Sequence, residues 1–274
     1  MEESEGEGVE VGEVQEQEND DGNVLHKNTQ FIQAWFADDG RAGGRLSALK
    51  TFFDLLCECG PAFGYFLEPE KSVLVVKEEK LEEAQHTFEG TGVQIVSGHR
   101  NLGAALGSAE FVDFFMKEEV QGWVRQIELI SKIAETQPHA AFAAFTHGLQ
   151  HKWGFCLRTM PMKDHLAPVE DAIRSCFLPA IFGDNVPLSD EERALFALPA
   201  SHGGLGIHNP VMDASHRLSD SRLLSRNLQA KILSGECELD FDASEHSKTV
   251  LHIKDRWEKR YQKVVWSNSA EHKE

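Results

Sequence analysis

Two adjacent carboxylates, Asp38 and Asp39, are the residues whose type and spacing best fit catalytic chemistry. They follow a short apolar and aromatic segment, residues 31–37, and precede Gly40. Carboxylate oxygens suit hard cations such as Mg²⁺. In phosphoryl transfer, two such ions activate the attacking oxygen and stabilise the leaving one. Two aspartates before a glycine also fit an ordinary turn, so both interpretations stay open on these residues alone.

The segments around the doublet predict a small unit of strands and helices. Residues 31–37 favour a strand because they are apolar and aromatic, and the aspartates with Gly40 then supply turn residues. We therefore expect the doublet at the tip of a hairpin. The next segments predict a helix at 46–57, a buried strand at 72–76 and a short charged helix at 78–88. A further strand is expected at 93–96, and a glycine-punctuated strand or turn at 101–107.

Later in the chain the pattern becomes helical. Apolar residues recur every three or four positions over 112–134, which predicts a long amphipathic helix. Proline fits a first helical turn, and serine followed three residues later by glutamate fits a capping box, so further helices should begin near Pro138, Pro168 and Ser189. Apolar residues within 218–232 predict another helix. A strand-rich unit followed by a helical one indicates an α+β fold.

The setting of the doublet resembles the aromatic-x-Asp-Asp motif of reverse transcriptases, here Phe36-Ala37-Asp38-Asp39. Downstream, the helix, Gly64-Tyr65-Phe66 and residues 69–72 with their following apolar strand are similar to the family's next palm motif. In that family a lysine of this motif lies near the incoming nucleotide. Lys71 is the nearest match in this sequence.

The resemblance continues in the family's order. Residues 101–107 resemble the primer-grip motif, with Leu102 and Gly103 as its Leu-Gly pair. Helices in the position of a thumb follow, and residues 198–210 resemble a segment downstream of the thumb in retroelement polymerases. The similarity covers about residues 31–210, and each motif is short, so order and spacing carry the comparison.

The resemblance implies a C-terminal palm and thumb fragment of a non-LTR-like retrotransposon reverse transcriptase, an RNA-directed DNA polymerase. In an intact relative, Asp38 and Asp39 hold the catalytic Mg²⁺, Lys71 lies near the nucleotide, and Leu102 and Gly103 help to seat the primer end. The implied partners are an RNA template, a DNA primer and deoxynucleoside triphosphates.

The expected organisation has four parts. Residues 1–28 are a disordered acidic tail, and residues 29–108 are a partial palm made of a small antiparallel sheet with helices. Residues 109–212 are a helical thumb-like and connecting region, and residues 213–274 are a helical, partly flexible C-terminal region.

One departure from the family affects the expected activity. Reverse transcriptases use a further aspartate on an earlier palm strand, and only about thirty unpatterned residues precede the doublet here. Asp20 and Asp21 lead into Gly22 rather than a buried strand, so neither is assigned as the missing ligand. A polymerase site needs its charges in one geometry. We therefore expect no polymerase activity from this chain alone.

The charge distribution bears on binding partners. The net charge is −18, with ten acidic residues between Glu2 and Asp21 and no lysine or arginine before Lys27. The rest still has 35 acidic against 27 basic residues, which argues against strong autonomous nucleic-acid binding but not against a local basic groove. The first 28 residues are interpreted as solvated filler or as an acidic interaction tail.

Composition also indicates a compartment. The five cysteines form an odd, scattered set, which predicts reduced thiols rather than disulfides. No apolar run long enough for a transmembrane helix occurs, and the N-terminus lacks a secretory signal. We expect an intracellular protein, cytoplasmic or nuclear, without a membrane partner.

Several other motifs have a structural and a functional interpretation. Cys57 with Cys59, and His147 with His151, are possible soft-metal ligands, but neither has the remaining ligands of a known zinc pattern. The glycines of 203–206 fit tight turns better than a phosphate loop. Trp123 and Trp153 are expected in the core.

The C-terminal region interleaves basic and aromatic residues, namely Lys254, Arg256, Trp257, Lys259, Arg260, Tyr261, Lys263 and Trp266. Such a pattern can track a single nucleic-acid strand by charge and stacking. Asp255 and Glu258 dilute the charge, so a solvated helix face is the competing interpretation.

Two other functional hypotheses stay open. One is a non-enzymatic protein that binds a partner through the acidic tail or through palm surface left exposed. The other is a retroelement remnant without selected function. Stabilisation by Mg²⁺ or Mn²⁺ that disappears when Asp38 and Asp39 become asparagine would favour a retained metal site.

Overall fold

A computed structural model describes residues 31–36, 39–183, 188–234 and 242–271. The helices α1 to α10 are, in order, Leu46–Cys59, Leu81–Thr87, Ala109–Ala134, Pro138–Ala144, Gln150–Thr159, Ala167–Ala172, Leu178–Phe182, Asp190–Ala197, Pro210–Ser234 and Ala243–Glu271. The strands β1 to β6 are Phe31–Phe36, Asp39–Gly44, Val73–Val75, Gln94–Val96, Gly98–Asn101 and Ala104–Gly107. Small sheets combined with many helices confirm the expected α+β class. The predicted disorder of residues 1–28 lies outside the described residues.

The six described strands form three separate two-stranded sheets, whereas the sequence predicts one small antiparallel sheet. β1 with β2, and β5 with β6, are antiparallel hairpins. β3 and β4 are instead parallel, with Val73 opposite Gln94. A parallel pair needs a crossover connection, and α2 supplies it here. The strands are therefore close to their predicted positions, but their pairing differs from the prediction.

The chain divides into two compact units. The first comprises Met1–Leu67 and Asn227–Leu239, and the second comprises Glu68–Arg226 and Asp240–Glu274. In the first unit, α1 packs against β2 and ends at Cys59, where a 3₁₀ turn, Gly60–Phe63, begins. The helix predicted at residues 46–57 is therefore present and extends to Cys59.

The second unit holds the hydrophobic core. α3 begins at Ser108, whose side chain accepts the Phe111 backbone N–H, and it buries one apolar stripe as its periodicity predicts. Trp123 is 3% exposed and Trp153 is 2% exposed, which confirms both as core residues. Other fully enclosed side chains come from α3, from the helices after it and from the turns between them, and include Met116, Ile127, Phe145, Leu157, Met162, Leu166, Ile173, Phe177, Leu178 and Ile207.

Two helices of this core contain π-helical turns. α4 continues through Phe145–Leu149 into α5, and α6 continues through Ile173–Phe177 into α7. The rings of Phe145 and Phe177 stack with centroids 4.2 Å apart and planes 19° apart. The two turns thus meet inside the core, where aromatic stacking adds to apolar burial.

A buried ion pair joins α6, α8 and the segment before α9. Arg193 is 1% exposed, and its Nε and Nη2 atoms donate to the two carboxylate oxygens of Glu170 at 2.7 and 2.8 Å. The same guanidinium donates to the carbonyl oxygens of Ile207 at 2.8 Å and His208 at 3.1 Å. All of its charge is therefore compensated by hydrogen bonds, as burial requires.

The helix start and the turns near this ion pair follow from local sequence features. Ser189 and Glu192 form the predicted capping box at the start of α8. Gly203 and Gly206 have φ values of 81° and 68°, so the tight-turn interpretation of this glycine-rich segment is confirmed. None of the described helices is both long enough and apolar enough to cross a membrane.

Candidate functional site

The aspartate doublet follows the first strand of an antiparallel hairpin. In the β1–β2 register Phe31 lies opposite Gly44 and Phe36 lies opposite Asp39, so two residues connect the strands. The hairpin predicted from the sequence is therefore present, with Asp39 as the first residue of β2. Ala37 and Asp38 lie outside the described residues, and only the backbone of Asp39 is described.

An aromatic cluster supports this hairpin within the first unit. Phe52 of α1 contacts Phe31 with ring centroids 5.0 Å apart and Trp35 at 6.3 Å, and Tyr65 meets Trp35 edge-on at 5.4 Å. Trp35 covers Gly40, where an added Cβ would lie 2.9 Å from the indole Cζ3. The aromatic contacts therefore hold the two strands of the hairpin against α1 and Tyr65 within this unit.

Lys71, the nearest match to the family's nucleotide-proximal lysine, ends a 3₁₀ turn, Pro69–Lys71. Its Nζ lies 2.5 Å from a carboxylate oxygen of Glu68, and both side chains are mostly exposed. Lys71 belongs to the second unit, whereas Asp38 and Asp39 belong to the first. Within its own unit, Lys71 is part of an exposed ion pair.

Leu102 and Gly103 form the turn of the β5–β6 hairpin. Both have positive φ values, 49° and 84°, which fits a two-residue hairpin turn. Leucine is a poor residue for this conformation, because its side chain meets the backbone there. The Leu102 side chain is also 75% exposed. Both features place an apolar group at the tip at a cost in local free energy.

The base of this hairpin is held firmly in the second unit. The Ala105 backbone N–H points to the Met160 sulfur at 3.2 Å. The Arg100 guanidinium lies 5.6 Å from the Phe115 ring centroid and 3.8 Å from a carboxylate oxygen of Glu119. These contacts hold the two strands that carry the Leu102–Gly103 turn.

The donor atoms at the doublet suit Mg²⁺, because this ion is commonly held by one or two carboxylates together with substrate phosphates and water. In the part of the chain that the structure describes, no three His, Cys, Asp or Glu side chains gather in a way that could hold a metal. Asp38 and the carboxylate of Asp39 fall outside that description.

The other candidate metal ligands are exposed side chains on helices. Cys57 and Cys59 are exposed in the last turn of α1, and His147 and His151 are exposed along the helix that becomes α5. By contrast, burial raises the pKa of the Cys156 thiol to about 11, with Glu119 adding to the shift. Cys156 is thus kept in its thiol form within the core.

Sequence analysis missed the charged residues that the fold buries. Glu170, Arg193, Asp213 and Asp220 are all less than 9% exposed. Charged residues are ordinarily read as surface positions. The one available signal was spacing: Arg193 falls on the inward side of a capped helix, and a buried arginine needs several acceptors.

Comparisons with known proteins give no neighbour: no family model, no curated protein and no solved structure matches the chain. The resemblance to reverse transcriptases accordingly depends on the motifs themselves and on their order along the chain.

Proposed function

We propose that this chain derives from the catalytic core of a retroelement reverse transcriptase, an RNA-directed DNA polymerase. The observation that carries the proposal is the β1–β2 hairpin, in which Asp39 lies opposite Phe36 directly after a two-residue turn. An aromatic strand that leads into paired carboxylates at a hairpin turn is the arrangement that the motif requires. In this proposal, Asp38 and Asp39 hold Mg²⁺.

The other site residues take roles by the same resemblance. Bound Mg²⁺ supplies charge stabilisation to the phosphates of the incoming nucleotide. Lys71 is placed near that nucleotide, where its ammonium group offers a point charge to phosphate. Leu102 and Gly103 seat the primer end, and the exposed apolar tip on a fixed hairpin supports this role.

The proposed organisation follows the resemblance. Residues 29–108 are a partial palm, 109–212 a thumb-like and connecting region, and 213–274 a C-terminal helical region. The long α3 helix and the packed helices after it support the thumb-like assignment. The proposed substrates are an RNA template, a DNA primer and deoxynucleoside triphosphates.

Nucleotide binding tests the role of the doublet. We expect a fluorescent deoxynucleoside triphosphate to bind the wild-type chain in Mg²⁺ and to bind the Asp38→Asn plus Asp39→Asn variant on the order of tenfold or more weakly. The matched control is Glu78→Gln plus Glu79→Gln. It removes two exposed carboxylates that are consecutive in sequence, as those of the doublet are, and it should leave binding unchanged. Equal affinity of the wild type and the aspartate variant would refute the proposed role.

Catalysis is a separate matter. No residue of the sequence is assigned to the third carboxylate that the family uses, and a polymerase site requires the full set in one geometry. We therefore expect no template-dependent extension of a DNA primer on RNA by this chain alone, in Mg²⁺ or Mn²⁺. Robust extension by the purified chain would show that this expectation is wrong.

A second candidate function is non-enzymatic binding of a protein partner. It is favoured by the first unit, in which Phe63 and Phe66 are 87% and 73% exposed and Gly60 is the one buried residue among those described. Exposed apolar groups of this kind mark interfaces or aggregation-prone surfaces. A monodisperse chain that binds neither Mg²⁺ nor nucleotide would favour this second function over the first.

A further inference from the structure

The C-terminal helix α10 is attached to the second unit in an unusual way. It is 29 residues long, yet none of its described side chains, at 243–265, is buried. It packs against α8 and against the 3₁₀ turn Ala200–His202. Its attachment therefore combines polar and aromatic contacts with a half-buried apolar stripe that includes Val250, Ile253 and Val264.

Two arginines of α10 are held by two carboxylates of α9. Arg256 forms an ion pair with Asp220, and the Trp257 indole Nε1 donates to the same carboxylate at 2.7 Å. Arg260 contacts Asp213, with Nη1 and Oδ1 3.3 Å apart, and it also donates to the Met212 carbonyl oxygen at 2.9 Å. Asp213 and Asp220 are each 8% exposed, so α10 helps to cover them.

Aromatic contacts complete the arrangement. The guanidinium groups of Arg217 and Arg260 lie 5.7 and 5.0 Å from the Trp257 ring centroid. Tyr261 lies against His202, with centroids 5.2 Å apart. The indole ring therefore has cations close to it, and its N–H has an anionic acceptor.

These arginines and aromatic rings are the kinds of group that form a binding surface for a single nucleic-acid strand. Arginines that bind phosphate oxygens, alternating with rings that stack on bases, are the parts such surfaces use. In the folded chain, the carboxylate oxygens of Asp213 and Asp220 are the anionic partners of Arg260 and Arg256. The net charge of the whole chain, −18, gives no indication of this local basic and aromatic face.

We propose that α10 carries a binding face for single-stranded nucleic acid, formed by Arg256, Trp257, Arg260 and Tyr261, which the chain closes with its own Asp213 and Asp220. The face is independent of the aspartate doublet and of metal. A single strand binds by displacing the two carboxylates, which moves α10 away from α9.

The physical basis for opening is the kind of contact that is lost. The arginine side chains of the two ion pairs, Arg256 and Arg260, are 39% and 26% exposed, so water and salt reach one side of each pair although the carboxylates are buried. Opening moves exposed and half-buried side chains of the described α10 into water, but no fully buried one. Segments of this kind open more readily than a core. A ligand that binds only the open form draws the population towards it, and its apparent affinity is reduced by the fraction that is closed.

The test opens the face by substitution in the full-length chain. Asp213→Asn plus Asp220→Asn removes both carboxylate charges while keeping the side-chain shape. If the face is open about a tenth of the time in the wild type, this variant should bind labelled oligo(U) and oligo(dT) about tenfold more tightly in fluorescence anisotropy. Adding Arg256→Glu and Trp257→Ala should remove that gain.

A matched control separates the site from general charge. Asp54→Asn plus Asp171→Asn changes the net charge equally at exposed positions, and it should alter affinity less than about twofold. An equal gain in this control, or a gain that persists after Arg256→Glu and Trp257→Ala, would overturn the proposal. Binding of duplex as tightly as single strand would also overturn it, because stacking on rings needs unpaired bases.

Hydrogen exchange decides whether opening is the cause. The carboxylate variant should exchange faster in residues 243–265 while α3 stays protected. Faster exchange in α10 without a gain in affinity would overturn the proposal. If the double variant fails to fold, Glu258→Gln offers a milder opening, because it weakens the contact that His202 makes with Glu258 at 3.0 Å. That variant should show smaller changes in the same direction, and unchanged affinity despite faster exchange would overturn the proposal.

Discussion

Replacing Arg193 with leucine tests how the second unit is held together. In the folded chain its guanidinium neutralises Glu170 through two hydrogen bonds and satisfies the carbonyl oxygens of Ile207 and His208. Leucine fills part of the same space but offers no donor. The substitution therefore leaves a buried carboxylate and two backbone acceptors without their main partner.

The size of the effect follows from burial. Removing one partner of a buried ion pair destabilises a protein by about 3–5 kcal/mol, because the remaining charge stays in a poorly solvating interior. Arg174, whose side chain is 31% exposed, also contacts Glu170 at 3.3 Å and compensates part of the loss. We therefore expect a loss near the lower end, about 3 kcal/mol. In a unit of this length, such a loss lowers Tm by about 6–12 °C.

Urea unfolding followed by far-ultraviolet circular dichroism measures this change. The matched control is Arg174→Leu, which removes the more exposed arginine of the same network and should cost about 0–1 kcal/mol. A loss of less than about 1 kcal/mol in Arg193→Leu, or equal losses in the two variants, would refute the reasoning.

Two further predictions concern pH and backbone packing. Burial, together with nearby arginines, lowers the pKa of His208 and His216 below 6.5, so the unfolded chain takes up protons first on acidification. The free energy of unfolding should therefore fall as the pH drops below about 6.5, and His216→Gln should reduce that slope in urea titrations. Gly204→Ala should destabilise the chain by about 1–3 kcal/mol in the same assay, because the added Cβ meets the Leu198 carbonyl oxygen. Gly122→Ala in α3, where an added Cβ meets nothing, should instead stabilise it by about 0.5–1 kcal/mol, and the opposite order would contradict the packing.

Much of the secondary structure could be predicted from local signals. The strand at 31–36, the long α3 helix and the capping box at Ser189 each depend on residues close together in sequence. Periodicity and capping act over one or two turns, so a single sequence contains the information needed. The glycines of residues 101–107 likewise indicated a strand or a turn, and the segment contains the end of β5, a turn and β6.

Pairing and burial of charge could not be predicted in this way. The division into three sheets depends on which strands meet after the chain folds, and the parallel pairing of β3 with β4 follows from the path of α2. The burial of Arg193 depends on carbonyl oxygens that lie 14 and 15 residues away. Likewise, the basic residues of α10 gave no indication that Asp213 and Asp220 would bind them.

The central claim, that Asp38 and Asp39 hold a divalent cation at the end of a hairpin, is tested most directly by paramagnetic Mn²⁺. In the ¹⁵N-labelled chain, Mn²⁺ should broaden the backbone amide resonances of β1 and β2 before others, since these strands flank the doublet. The broadening should vanish in Asp38→Asn plus Asp39→Asn and persist in Glu78→Gln plus Glu79→Gln. Broadening that is centred elsewhere, or that survives loss of both aspartates, would contradict the account.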